Sequence, residues 1–155
     1  MKRFILIIAA LLLFSATAHA TWTLTPSIVA RSGHYLKWKV VCTSDGNALT
    51  ATDILAQTSD NYFLRQVQGS TLMIMKVSPG TGGVIPNATI NIDLEDEEND
   101  DLWADTAISK DAISWHDLSA DISQYPPVLI NLYLVMNDIG DSGDQVTLYF
   151  INWIE

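Results

Sequence analysis

The chain has 155 residues, of which eight are basic and eighteen are acidic, so its formal net charge is −10. This acidic surplus repels phosphate backbones and anionic lipid, which argues against nucleic-acid binding and membrane-surface binding. A chain of this length suffices for one domain with a sizeable core, and its single cysteine, Cys42, excludes both an internal disulfide framework and a cysteine zinc site.

The first twenty residues have the features of an export signal. Lys2 and Arg3 precede the apolar run "FILIIAALLLF", and Ala18 and Ala20 are small residues placed for signal peptidase. The run is roughly ten residues long, whereas a membrane-spanning helix needs about 20. We predict a cleavable signal peptide over residues 1–20 and an exported chain that is periplasmic, extracellular or virion-associated; an uncleaved anchor is the alternative. Cleavage would leave six basic against eighteen acidic residues, a net charge of −12.

The first strands of the mature chain alternate between apolar and polar residues. In "YLKWKVVCT" a period of two predicts a half-buried strand, and Asp45-Gly46 predicts a turn after it. "TLMIMKV" predicts another strand, closed by Pro79-Gly80 and Gly82-Gly83. In "NATINIDL" the apolar residues again fall on one face. The predicted inward residues of the first and third of these strands are Leu36, Trp38, Val40, Cys42, Ile90, Ile92 and Leu94.

Two longer strands, "PVLINLYLVMND" and "QVTLYFINWIE", are predicted near the C-terminus, with "DIGDSGD" as a hairpin loop between them. The last strand is apolar on both faces, which is unusual for a strand covered on one side. Val146, Leu148, Phe150 and Ile154 form one face. The other face is either covered by a second sheet and a loop or buried against another subunit. The candidate oligomer interface consists of Tyr149, Ile151 and Trp153.

Helix is scarce in this sequence. Only "SWHDLSADIS" suggests a short helical turn, with Ser114 as its cap. Several short strands separated by Gly/Pro turns predict an all-β fold, an antiparallel β-sandwich or barrel of jelly-roll-like type. We expect residues 21–155 to form a single β-sandwich domain.

Seven acidic residues lie between Asp93 and Asp101. They have three interpretations: a solvated turn, a calcium site, or a catalytic pair of carboxylates. The EF-hand spacing is absent, and adjacent acids on a loop tip stay ionised rather than acquiring the raised pKa of a catalytic acid. The solvated turn is therefore favoured and no cofactor is expected. The alternative calcium ligands are Asp93, Glu95, Asp96 and Asp100.

Other catalytic patterns are missing. The chain has no G-x-S-x-G elbow, and "GTGG" lacks the lysine of a phosphate-binding loop. His34 and His116 are not spaced as a zinc-binding pair. Ser32, His34 and Asp117 occur without any pattern that ties them together. The sequence predicts that this protein is not an enzyme.

The order of the turn motifs resembles that of small β-rich structural proteins encoded among the virion genes of tailed bacteriophages. The matching segments are Thr43–Gly46, Pro79–Gly83 with Pro86, and Asp96–Leu102. In that family the acidic turn has a glycine at the residue with positive φ; Asn99 stands there in this chain and is the next most tolerant residue. The resemblance implies a virion structural role with other virion or surface proteins as partners. The signal peptide is not part of the family pattern.

Two functions from different classes remain open. The first is a non-enzymatic structural or assembly protein that acts as a homo-oligomer. The second is an exported module that binds carbohydrate or another surface through exposed aromatic side chains. The candidate aromatics are Trp22, Trp103 and Trp115, for which packing in the core or at a subunit interface is the alternative.

Overall fold

The structure is a computed structural model of the chain. It describes residues 21–80, 86, 89–96, 98, 101–110, 112–118, 127–128, 130–137 and 140–154. The predicted signal peptide, Gly82-Gly83, Asn99 and the calcium candidate Asp100 lie outside these residues.

Two antiparallel sheets pack face to face as a sandwich, which confirms the predicted fold class. The strand order is β1-β2-β9-β4-β7 in the five-stranded sheet and β3-β8-β5-β6 in the four-stranded sheet. The strands are β1 (Thr23–Ser32), β2 (Tyr35–Thr43), β3 (Leu49–Asp53), β4 (Thr71–Pro79), β5 (Ile90–Glu95), β6 (Asp101–Ile108), β7 (Ser114–Asp117), β8 (Tyr133–Asn137) and β9 (Gln145–Trp153).

The alternation predicted from the sequence decides which side chains enter the core. The predicted inward residues of β2 and β5 are all fully buried, as are Val146, Leu148 and Phe150 of β9. The Trp38 ring stacks on that of Phe150, with centroids 4.3 Å apart. Because successive side chains of a strand point to opposite faces, burying these residues leaves the intervening ones on the outer surface. Burial also raises the pKa of the Cys42 thiol, so this residue behaves as a small core hydrophobe.

The sequence analysis missed one helix, α1 (Asn61–Val67). Its first turn is capped by Asp60, whose carboxylate accepts hydrogen bonds from the backbone N–H groups of Tyr62 and Phe63. Phe63 and Val67 are buried, and the Phe63 ring contacts Trp38 edge-on at 5.6 Å. The helix therefore packs against Trp38 and helps to bury it in the core.

The predicted helical turn with Ser114 as its cap is wrong over Ser114–Asp117, whereas residues 119–123 of that prediction lie outside the described residues. Residues Ser114–Asp117 form β7, which pairs with β4 at the edge of the five-stranded sheet. Pairing with β4 supplies the backbone hydrogen bonds that an isolated helical turn would leave unmade at its ends. The tertiary context therefore overrides the serine cap signal.

The predicted hairpin at "DIGDSGD" is also wrong, because β8 belongs to the four-stranded sheet and β9 to the five-stranded sheet. Its described residues, 140–144, belong to an arch between the sheets. It is bonded to the arch that follows β2, through Ser44 N–H to the Asp144 carbonyl and Gly143 N–H to the Ser44 carbonyl, both at 2.9 Å. Gly46 and Gly143 take positive φ in these arches, where side chains are disfavoured.

Asn152 occupies an inward position of β9, between Phe150 and Ile154, and it is fully buried. Its Oδ1 accepts from the Trp38 indole N–H at 3.0 Å, and its Nδ2 donates to the Ser70 hydroxyl at 2.6 Å. Ser70 in turn donates to the Val67 carbonyl at the end of α1. This network satisfies the buried polar groups and ties the helix to the sheet.

Candidate interaction surface

The outer face of the five-stranded sheet carries the predicted interface residues. Tyr149, Ile151 and Trp153 alternate with the buried residues of β9, so all three point away from the core. β9 lies in the middle of the sheet, between β2 and β4. Trp153 is 37% exposed, and the other two are half-buried among the side chains of the neighbouring strands.

Three lysines surround Tyr149 on this face. Lys39 and Lys76 are its register partners on β2 and β4. The amine of Lys76 lies 4.9 Å from the centre of the Tyr149 ring, and that of Lys37 lies 5.3 Å away. These are cation–π distances, so the aliphatic stems lie along the sheet while the charges stay at the surface. We call Lys37, Lys39, Lys76, Tyr149, Ile151 and Trp153 the basic face.

A shallow groove of about 390 Å³ lies in the basic face, and its lining is almost entirely apolar. Ile151 is opposite Lys37 on β2 and Ile74 on β4, and Ala30 and Ser32 belong to β1, so the groove runs across four strands. It is lined by Ala30, Ser32, Tyr35, Lys37, Ile74 and Ile151.

At one end of the basic face, His34 and Tyr35 pack against the ring of Trp153. The His34 ring stacks on Trp153 with centroids 4.8 Å apart, and Tyr35 meets Trp153 edge-on at 5.2 Å. The His34 Nδ1 lies 3.1 Å from the Ile154 carbonyl oxygen. These contacts hold the Trp153 ring in place while leaving part of it accessible.

The three tryptophans considered for carbohydrate binding lie in different environments. Trp103 is 5% exposed and belongs to the core, whereas Trp22 packs partly against the core and donates to the Asn47 carbonyl at 2.9 Å. Only Trp115 is well exposed, at 59%. The amine of Lys76 lies 5.5 Å from its ring centre, so Trp115 extends the basic face onto β7.

The outer face of the four-stranded sheet carries the acidic residues. Asp93 and Glu95 alternate with the buried residues of β5 and point outward, while Asp101 lies opposite Glu95 on β6. Burial and then the Asp101 charge raise the pKa of Asp93 above its usual 3.8. Burial, followed by the charges of Asp101, Asp93 and Asp96, raises the pKa of Glu95 above 4.5.

The described calcium candidates do not converge on a common centre. Asp93 and Glu95 belong to the sheet surface, while the Asp96 carboxylate accepts from the Glu98 backbone N–H at 2.8 Å and so shapes the following turn. Within the described ranges no group of three or more His, Cys, Asp or Glu side chains is arranged to hold a metal ion. The strands on either side of the acidic segment, β5 and β6, are neighbours in one sheet.

Ser32, His34 and Asp117 do not form a catalytic triad. Ser32 ends β1 and Asp117 ends β7, at opposite edges of the five-stranded sheet. Four strand spacings separate these edges, roughly 19 Å in all. A Ser–His contact does occur elsewhere, since Ser114 Oγ lies 2.8 Å from His116 Nε2. The His116 ring lies against Trp103, with ring centroids 4.8 Å apart. Neither Ser114 nor His116 lines the groove over Ile151.

A second groove, of about 280 Å³, was not predicted. It lies beside α1, and its signal in the sequence would have been the clustering of Arg65 with two glutamines in "RQVQ". Arg31 reaches it from β1 and donates to the Gln66 side-chain oxygen. Its lining comprises Arg31, Arg65, Gln66, Gln68, Gly69, Ser70 and Ile154.

Comparison with known proteins returned no matching family model, no matching curated protein and no matching solved structure. Of the helices among the described residues, none is long and apolar enough to span a membrane. We therefore infer the function from the surfaces of the two sheets.

Proposed function

We propose that this protein is a non-enzymatic, exported structural or assembly protein, a virion-like β-module that works by self-association through the basic face. The observation that carries the proposal is the second apolar side of β9. Its inward residues already complete the core, with Val146, Leu148 and Phe150 fully buried. Ile151 and Trp153 therefore remain as apolar surface that the domain itself does not need.

The aromatic side chains and the apolar groove of this face favour a protein partner. Aromatic residues are enriched at the centres of protein interfaces, and large contiguous apolar patches are uncommon on isolated monomers. The groove over Ile151 offers a depression that one side chain of a partner can fill, which is how interface anchors bind. The resemblance to phage virion proteins points in the same direction, because such proteins act through subunit contacts.

The test is the molar mass of the mature protein in solution. Light scattering coupled to gel filtration should show an oligomer whose population grows with protein concentration. The double variant Ile151→Ser/Trp153→Ser should weaken self-association roughly tenfold or more, because it removes two apolar anchors.

The matched control is Tyr62→Ser. Tyr62 is 61% exposed on α1 and is not one of the residues that define the basic face, so its loss should leave the molar mass unchanged. A wild-type protein that stays monomeric at high concentration would contradict the proposal, as would a variant at Ile151 and Trp153 that associates normally.

A second candidate function is binding of a carbohydrate or another surface, and the exposure of Trp115 favours it. Trp115 and Trp153 present partly free rings, and Lys76 adds a positive charge beside Trp115. Tryptophan fluorescence during titration with neutral and acidic oligosaccharides tests this function. Saturable quenching by a glycan that Trp115→Ala abolishes, in a wild-type protein that stays monomeric, would favour binding over assembly.

A further inference from the structure

The outer face of the four-stranded sheet has a composition complementary to that of the basic face. In its register Asp93 lies opposite Val135, and Glu95 lies opposite Tyr133. Val135 and Tyr133 are half-buried and point outward between buried neighbours of β8. We call Asp93, Glu95, Asp101, Tyr133 and Val135 the acidic face. It combines carboxylates with a small apolar centre.

The basic face has the matching arrangement of opposite sign. Its apolar groove is floored by Ile151, and Lys37, Lys39 and Lys76 lie on the strands that flank β9. One acid, Asp117, lies at its β7 edge opposite Ile74. Three of the four lysines after residue 20 are on this one face, in a chain whose net charge is strongly negative.

The two faces belong to one molecule but cannot meet within it. They are the outer surfaces of two packed sheets, whose backbones are about 10 Å apart with the core between them. A contact between a basic face and an acidic face therefore requires two copies of the chain.

We propose that the protein associates head to tail, with the basic face of one copy bound to the acidic face of the next. This inference rests on the proposed function and specifies its partner surface. Val135 or Tyr133 of one copy fills the groove over Ile151, while Lys37 and Lys76 pair with the carboxylates beside it. Such a contact uses different surfaces on the two copies, so it closes into a ring or continues as a filament.

Charge argues for this arrangement over a two-fold symmetric one. A symmetric contact between two basic faces would bring three lysines against three lysines, and like charges that face each other at an interface disfavour it. In the head-to-tail contact the apolar groove supplies affinity, and the ion pairs set orientation and exclude the symmetric alternative. Burial and, after it, the charges of neighbouring acids raise the pKa of Asp93 and of Glu95 in the single copy, and lysines from a second copy would offset that repulsion.

Charge reversal on each face tests the proposal. The Lys37→Glu/Lys76→Glu variant and the Asp93→Lys/Glu95→Lys variant should each be monomeric, with self-association weakened at least about tenfold. An equimolar mixture should associate again, because each partner supplies the charge that the other has lost. A chain that carries all four substitutions should also self-associate. Light scattering measures all four samples, and circular dichroism checks that each variant is folded.

The outcomes separate this inference from the proposed function. A monomeric wild-type protein would contradict both. If the wild type associates and the Asp93→Lys/Glu95→Lys variant alone associates equally well, the contact does not use the acidic face and the head-to-tail arrangement is wrong. Failure of the mixture to associate, with both components folded, also overturns it. If a double variant fails to fold, the single variants Lys37→Glu and Asp93→Lys provide the same mixing test.

Discussion

The two outer faces of the sandwich differ in charge although the two inner faces are built alike. Inward positions of β2, β5 and β9 are almost uniformly apolar and fully buried, because the core accepts little else. Outward positions are free of that constraint: lysines and aromatics cover one sheet, while Asp93 and Glu95 occupy the other. Net charge therefore does not describe the basic face, which belongs to a chain of net charge −10.

A partner that docks on one face meets the local charges of that face rather than the net charge of the chain. A net charge of −10 argues against anionic partners for the protein as a whole. Screening limits the reach of each charge to roughly 8–10 Å at physiological salt, so a partner docked on the basic face experiences mainly the local lysines. An acidic surface is therefore an acceptable partner at that face.

The largest expected effect tests whether inner and outer positions of β9 carry different functions. Phe150→Ala should cost about 3–5 kcal/mol of unfolding free energy, because it leaves a cavity beside Trp38. Ile151→Ala, one position along, should cost about 1 kcal/mol or less, because the side chain is already partly in solvent. Urea unfolding at low protein concentration measures both. Equal losses would mean that the outer face is also part of the folding core.

Asn152 is the polar exception on the inner face and gives the next largest effect. Asn152→Ala removes the acceptor of the Trp38 indole N–H and a donor to Ser70, which should cost roughly 1–3 kcal/mol. Asn137→Ala on the outer side of β8 is the matched control and should change stability by about 0.5 kcal/mol or less. A control that destabilises as much as Asn152→Ala would remove the distinction between the two asparagines.

Neutralising charges should affect the two outer faces in opposite directions. Asp93→Asn/Glu95→Gln relieves repulsion with Asp101 and should raise the stability of the monomer at pH 7 by less than about 1 kcal/mol. Lys37→Gln/Lys76→Gln removes the cation–π contacts with Tyr149 and should lower it by a similarly small amount. Thermal denaturation at low protein concentration compares the pairs. A gain in stability from both pairs would show that repulsion acts on each face alike.

The smallest expected effect is a pH dependence confined to the acidic face. Asp93 and Glu95 have raised pKa values, so near those values the folded protein binds more protons than the unfolded chain does. Their contribution is present below the usual values of 3.8 and 4.5, and it is lost as the pH rises through the folded pKa values. The charged groups that raise the two values are Asp93, Asp96 and Asp101. We therefore expect the unfolding free energy of the wild type, relative to that of the Asp93→Asn/Glu95→Gln variant, to decrease from acidic to neutral pH. Urea unfolding measures both proteins at each pH, and a difference between them that does not change with pH would contradict this.

The fold class was predictable from the amino-acid sequence, because alternation with a period of two specifies which side chains of a strand are buried before its partner strand is known. The same alternation placed Tyr149, Ile151 and Trp153 outside the core. The helical turn predicted at Ser114 is a strand in the structure. The helix α1 was not predicted, because its seven residues are too few for a periodic pattern to stand out.

The order of the strands in each sheet was not predictable from local sequence, because strand pairing joins residues far apart in the chain. The sequence showed neither that Lys37 of β2 and Lys76 of β4 would meet over Tyr149, nor that "DIGDSGD" would cross between sheets. It showed a cluster of acids, but not that Asp93 and Glu95 would face away from the lysines. The lysines of the basic face come from β2 and β4, dozens of residues apart in the chain, and sheet topology rather than local propensity brings them together.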